Sequence, residues 1–234
     1  MAGMTRIKIC GITTVEDIRL CAAVGVDDLG FVVEYPIDVP WNLDREQAGK
    51  LIRSVPPSVS PVIVVGEDPR TIIELTQLLK PRSVQLHGNE PISVTAELVS
   101  AIHALGVKVL KPLRFSVETG RCRSSCEDPV DAARQIEDTG VDGLVLDSVS
   151  ESRPAGTGRN MDWGLARSIR DQVRVPVILA GGLNADNVAK AVAAVNPHGV
   201  DVISGVENPV GRKDPARLKA FVAAIRSLNG SLKS

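Results

Sequence analysis

Aromatic side chains make up only 3% of the 234 residues, so the core must be built from Val, Ile, Leu and Ala. That palette suits parallel strands buried on both faces, which read as short aliphatic runs. Four cysteines (Cys10, Cys21, Cys122 and Cys126) are too few to frame a chain of this length with disulfides. No apolar run approaches the roughly 20 residues that a membrane-spanning helix needs. A formal net charge of −1 leaves no excess of one sign to draw nucleic acid or anionic lipid. The opening MAGMTRIKICGIT has no apolar signal region and runs almost at once into a strand-like stretch. The expectation is a cytoplasmic protein that binds neither nucleic acid nor membrane.

Short β-branched runs alternate with amphipathic stretches along the whole chain. The runs are Ile7–Cys10, Leu29–Val33, Pro61–Val65, Ser83–Leu86, Val107–Leu110, Gly143–Leu146, Val175–Leu179 and Gly199–Ile203. Helical periodicity fills the intervals, as in Thr14–Val24, Asp44–Ser54, Pro69–Leu79 and Ile92–Ala104. Asp44 with Gln47 has the spacing of a capping box, and Asn184 with Asn187 matches it more loosely. Gly25, Gly106 and Gly140 stand where helices should end. The joints GVDDLGF, GVDGLVL and GVDVISG repeat one phrase, and no linker or charge run divides the chain. This pattern predicts an α/β fold, a single (β/α)₈ TIM barrel over residues 1–234, with a doubly wound sheet as the alternative.

In such a barrel, chemistry collects at the C-terminal ends of the strands. Alternation at the end of the first strand puts Lys8 and Cys10 on the inner face and Ile7 and Ile9 on the outer one. A lysine beside a cysteine favours the thiolate, the form that acts as base or nucleophile. The bland reading is a small core cysteine next to a snorkelling lysine. Asp147 follows the sixth run as either an acid–base group or a loop cap. Gln85 and His87 point inward from the fourth, for substrate contact or as satisfied rim polars. Gly181, Gly182, Ser204 and Gly205 end the seventh and eighth runs, where backbone N–H groups in this fold commonly hold phosphate. The Ala155–Gly158 stretch reads as a lid or a plain surface loop. Cys122 and Cys126 lack a second pair of ligands for zinc, so no metal is expected. His103 and His198 read as surface positions.

Taken together, KICGIT (Lys8–Thr13), VQLHGNE (Val84–Glu90), LDS with the later GTG and DW (Leu146–Trp163), AGGLNADNV (Ala180–Val188) and VDVISGVE with GRKD (Val200–Asp214) resemble the motifs of the phosphoribosylanthranilate isomerase family of tryptophan biosynthesis. They occur in that family's order and span most of the chain. The resemblance implies a (β/α)₈ barrel that performs an Amadori rearrangement with no cofactor and no metal. It implies Cys10 as general base, Asp147 as general acid, Asp201 lining the site, and phosphate held by the loops of Gly181, Gly182, Ser204 and Gly205. The substrate would be a small phosphorylated sugar-amine, and the protein a monomer or homodimer.

One stretch departs from that pattern. The family carries a basic loop after strand two, with an Arg for the anthranilate carboxylate. Here Glu34–Leu43 has two acids and no basic residue. Arg114, in the fifth unit, is the candidate replacement, and Trp41 the candidate to stack on the aromatic ring. Residues 121–128 read as an insertion in the fifth βα loop. Two further readings follow from the departure: an isomerase of a different N-phosphoriboside, or a phosphate-ligand binder without turnover. The retained base and acid argue against the binder, since binding alone needs neither.

Overall fold

The computed structural model describes residues 4–116, 119, 121–122, 126, 128–149 and 162–230. The predicted lid segment and much of the fifth βα loop lie outside them. The strands are β1 (Arg6–Ile9), β2 (Asp28–Val33), β3 (Asn42–Leu43), β4 (Ser60–Val65), β5 (Ser83–Leu86), β6 (Lys108–Ser116), β7 (Gly143–Val149), β8 (Val177–Leu179) and β9 (Gly199–Val202). All pairings are parallel in the order β1-β9-β8-β7-β6-β5-β4-β2-β3, and β1 also pairs with β2. That last pairing closes eight strands into a barrel and leaves β3 as a two-residue addition to the end of β2.

Helices α1 (Val15–Ala23), α2 (Arg45–Ile52), α3 (Pro69–Leu79), α4 (Ile92–Ala104), α5 (Pro129–Asp138), α6 (Trp163–Gln172), α7 (Val188–Val195) and α8 (Pro215–Gly230) alternate with the barrel strands. Their starts follow the chemistry in the sequence. Asp44 caps α2 in a reciprocal box with Gln47, while Asp68 and Asp128 cap α3 and α5, each followed by Pro at the first helical position. Asn184 and Asn187 do exchange side-chain bonds, yet regular helix begins only at Val188. Gly25, Gly106 and Gly140 follow their helices with φ of +79°, +74° and +87°.

Two kinds of packing result. Facing outward, Ile7, Ile9, Leu29, Phe31, Ile63, Leu144, Leu146 and Leu179 pack fully buried under the helices. Each such aliphatic side chain withdrawn from water is worth roughly 1.5–3 kcal/mol. Facing inward, the alternate residues include Lys8, Cys10, Gly30, Gln85, Asp147 and Asp201, so polar chemistry lines the barrel. The main correction to the expected boundaries is β6. It continues past Leu110 in register with β7 as far as Ser116, so Arg114 lies within the strand and opposite Asp147.

Candidate active site

Cys10 follows directly on β1, with its N–H bonded to Val202 O of β9. It is 2% exposed and sits among Val32, Trp41 and Val64. Room for the thiol comes from β2. A Cβ built on Gly30 would stand 2.5 Å from Cys10 Sγ. Sequence reading passed over Gly30, although a glycine inside a strand often signals a close approach.

Lys8 lies two residues earlier, and its Nζ donates to Asp201 Oδ2 at 2.6 Å across the β1–β9 register pair. Both side chains are buried, and Asp201 Oδ1 has no partner among the described residues. The thiolate expectation needs correcting. Lys8 does pull the Cys10 thiol down, but burial outweighs it and Asp201 adds to the rise, so the pKa lies above its ordinary value.

Asp147, inward on β7, is three strands from Cys10 around the eight-stranded barrel. Burial and the negative charge of Asp201 push its carboxyl up to about 6, against the opposing pull of Arg114 and Lys8. Asp201 and Lys8 therefore act on both Cys10 and Asp147. The site holds a thiol and a carboxyl at one rim, with a buried ion pair influencing both.

Gln85 and His87 come from β5 and the residues after it. Gln85 Nε2 donates to His87 Nδ1 at 3.3 Å, which leaves the ring proton on Nε2. Burial, then Arg114, Lys8 and Lys111, lower the His87 pKa to about 3, so the ring is neutral. Arg114 is half-buried; its Nη2 donates to Gly88 O and Asn89 Oδ1, and its guanidinium also lies within hydrogen-bonding reach of the Tyr35 hydroxyl. Lys111, which sequence reading left without a role, ties Leu86 O, Gly88 O and Glu90 Oε1 together and so fastens the loop carrying His87.

Gly181 and Gly182 follow β8 with φ of +82° and +66°. Gly181 packs against Ser148 with no space for a side chain, and Gly205 likewise against Leu183 O. Ser204 and Gly205 belong to a single 3₁₀ turn, Ser204–Val206. Regular helix resumes only at Val188, where α7 starts. Among the described residues, the backbone N–H groups of Gly181, Gly182, Ser204 and Gly205 donate to no protein acceptor.

The strand-two loop differs from expectation in two ways. Glu34 is held by Arg45 in a two-bond pair at 2.6 and 2.8 Å, so its charge is answered. Trp41 is 5% exposed, lies over Gly11, and its indole N–H donates to Glu207 Oε1 at 2.7 Å. It is built into the wall beside Cys10, which removes the stacking role expected for it. His103 pairs with Asp142, and His198 Nδ1 accepts from Val177 N–H. A cavity of about 310 Å³ lined by Arg6, Arg82, Lys108 and His198 opens at the base of the barrel, the opposite end from Asp147.

Comparison with known proteins converges on one family. Residues 7–224 match the family model described as N-(5′-phosphoribosyl)anthranilate isomerase. N-(5′-phosphoribosyl)anthranilate isomerase 1 of Methanosarcina mazei is 38% identical over 97% of each chain. Monomers generated from the dimeric phosphoribosylanthranilate isomerase of Thermotoga maritima superpose with a TM-score of 0.77 at 31% identity, covering 96% of this chain and 100% of theirs. A phosphoribosylanthranilate isomerase in complex with reduced 1-(o-carboxyphenylamino)-1-deoxyribulose 5-phosphate gives 0.73 at 31% identity, with the same coverage.

Proposed function

The chain belongs to the N-(5′-phosphoribosyl)anthranilate isomerase family, and we propose that it rearranges phosphoribosylanthranilate with Asp147 as acid and Cys10 as base. The activity is an isomerisation in tryptophan biosynthesis. The observation that carries the assignment of roles is the thiol and carboxyl at one barrel rim, under the influence of one buried Lys8–Asp201 pair.

Asp147, with its raised pKa, supplies a proton to the ribose ring oxygen as the C1′–O bond breaks. The anilino nitrogen lone pair moves in to form the C1′=N⁺ double bond. Cys10, in the minor thiolate form that the nearby Lys8 and Lys213 charges favour against burial, then takes the C2′ proton, and the C2′–H electrons become the C1′=C2′ bond of an enolamine. Tautomerisation to the 2′-ketone completes the Amadori product. One donor and one acceptor on different sides of the sugar are what these two proton transfers require.

The remaining residues take supporting roles in this reading. Free N–H groups of Gly181, Gly182, Ser204 and Gly205 receive the phosphate. Asp201 Oδ1, without a partner among the described residues, accepts from a sugar hydroxyl. Lys8 serves by holding Asp201 rather than by touching the ligand. Gln85 orients His87 so that Nε2–H faces the substrate, and Arg114 offers its guanidinium charge to the anthranilate carboxylate. The reading includes a single barrel domain over residues 1–234. It also takes the protein as a cytoplasmic monomer or homodimer whose partner is a small molecule. No helix among the described residues is long and apolar enough to cross a membrane.

The test is turnover of phosphoribosylanthranilate made in situ, followed as loss of its fluorescence, beside Cys10→Ala and Asp147→Ala. Collapse of turnover in both variants is expected. Full activity in either removes that residue from its role, and no turnover in folded wild-type protein overturns the reading.

A further inference from the structure

Behind Cys10 lies a second buried ion pair that the mechanism above does not use. Lys213, in the segment before α8, is fully buried, and its Nζ donates to Glu207 Oε1 and to Cys10 O, both at 2.6 Å. Glu207 Oε1 also accepts from Trp41 Nε1, and Oε2 accepts from Gly211 N–H. Lys213 N–H in turn bonds to Asp17 Oδ1 of α1. One carboxylate thus joins the strand-two loop, the segment after β9 and, through Lys213, the peptide of Cys10. The Trp41 ring lies where a Gly11 side chain would be, with a Gly11 Cβ 2.6 Å from its Cδ1.

An ion pair this deeply buried is not explained by stability, because desolvating both charges cancels much of their attraction. A hydrophobic pair would close the same space. The difference lies at Cys10: only a cation with donors to spare can hold its carbonyl and also put positive charge behind its thiol. The Trp41 indole N–H ties the covering ring to the same carboxylate.

Resting on the reading of Cys10 as the base, we infer that Trp41, Glu207 and Lys213 form a clamp that positions Cys10, with Lys213 its central positioning residue. The clamp anchors the Cys10 peptide at its carbonyl, while the Trp41 ring packs against the side chain and walls one side of it from water. Charged groups facing the thiol are Lys8 from β1, Asp201 from β9 and Lys213 from the segment before α8, and the Gly11 N–H also favours the thiolate. From β2, β4 and the strand-two loop, Val32, Val64 and Trp41 present no charge. Lys213 and Lys8 therefore oppose the burial and the Asp201 charge that hold the thiol protonated.

The test compares Lys213→Met with the double variant Lys213→Met/Glu207→Gln, which removes the unpaired carboxylate without restoring the cation. Two readouts are taken: kcat and KM, and the pH dependence of Cys10 alkylation by iodoacetamide, located by peptide mass mapping. For a positioning role, the double variant regains stability over the single one. Its kcat nevertheless stays about tenfold or more below wild type, with KM within about twofold. The midpoint of Cys10 alkylation rises by about one pH unit. Wild-type kcat and alkylation in the folded double variant would overturn the clamp and leave a structural pair. If the Lys213 variants do not fold, Trp41→Phe removes the indole N–H that bonds to Glu207 together with part of the ring that covers Cys10. It must raise Cys10 alkylation severalfold at fixed pH, and an unchanged rate overturns the inference. Alkylation needs no turnover, so inactive wild-type protein with the expected alkylation changes would sink the isomerase reading and leave the clamp standing.

Discussion

Gly30 and Cys10 fit one another across the β1–β2 pair: the missing side chain of the first is the space occupied by the thiol of the second. A Cβ at Gly30 would meet Sγ at 2.5 Å and Cys10 Cβ at 3.0 Å, inside van der Waals contact. One of the two side chains must therefore be absent.

Gly30→Ala should consequently displace Cys10 rather than be absorbed. Overpacking of this kind costs about 1–3 kcal/mol of stability. The displaced thiol should also lower kcat by about tenfold or more. Urea unfolding and steady-state kinetics read the two effects, and unchanged kcat would show that the neighbourhood of Cys10 yields without moving it.

The raised carboxyl of Asp147 makes a stability prediction with a definite sign. Its pKa goes from an ordinary 3.8 to about 6 on folding. The folded state thus binds more protons than the unfolded one between those values, and stability falls as pH rises through that window. Asp147→Asn should gain about 2–3 kcal/mol at pH 7 and nothing below pH 4. Denaturant titrations at the two pH values check it, and equal gains at both would contradict the shift. The same Asp147 should appear in kcat/KM of the wild type as an acidic limb near pH 6, with the Cys10 limb on the alkaline side, displaced upward by burial.

Arg114 is a half-buried cation in register with Asp147 on the neighbouring strand. Arg114→Ala should raise KM for phosphoribosylanthranilate about tenfold, the scale of one charge-assisted contact. Its effect on kcat should be smaller, because the carboxylate is remote from the bonds that change. An unchanged KM would leave the aglycone carboxylate to another group.

Lys8→Met should be among the most destabilising single changes in the barrel. It strands the Asp201 carboxylate, which is 7% exposed and already has one oxygen without a partner among the described residues. Breaking a buried pair from one side costs about 3–5 kcal/mol. Adding Asp201→Asn should recover much of that loss, and a lack of recovery would mean that Lys8 supports the barrel by packing alone.

Much of this was legible in the sequence, because it depends on local rules. Aliphatic runs at a regular spacing, Asp and Pro at helix starts and Gly at helix ends marked out the eight β–α units. Period-two alternation then put Lys8, Cys10, Gln85 and His87 inside and Ile7 and Ile9 outside. The extra length of β6 escaped notice because Pro112 and Arg114 interrupt its aliphatic pattern, while pairing with β7 supplies the hydrogen bonds that carry the strand on.

Relationships between distant residues are another matter. Lys8 and Asp201 are 193 positions apart, and Lys213 stands 203 positions from Cys10. Whether Lys8 creates a thiolate depended on a contest between its charge, the Asp201 charge and burial, and burial prevailed. Trp41 looked free to stack on a ligand until Glu207 was found holding its N–H. The sequence by itself determined the barrel and the inventory of chemical groups at its rim, since periodicity and capping act over a few residues. Only the tertiary structure decided which charges meet and which are left in low dielectric, because barrel closure alone sets those distances and the desolvation that goes with them.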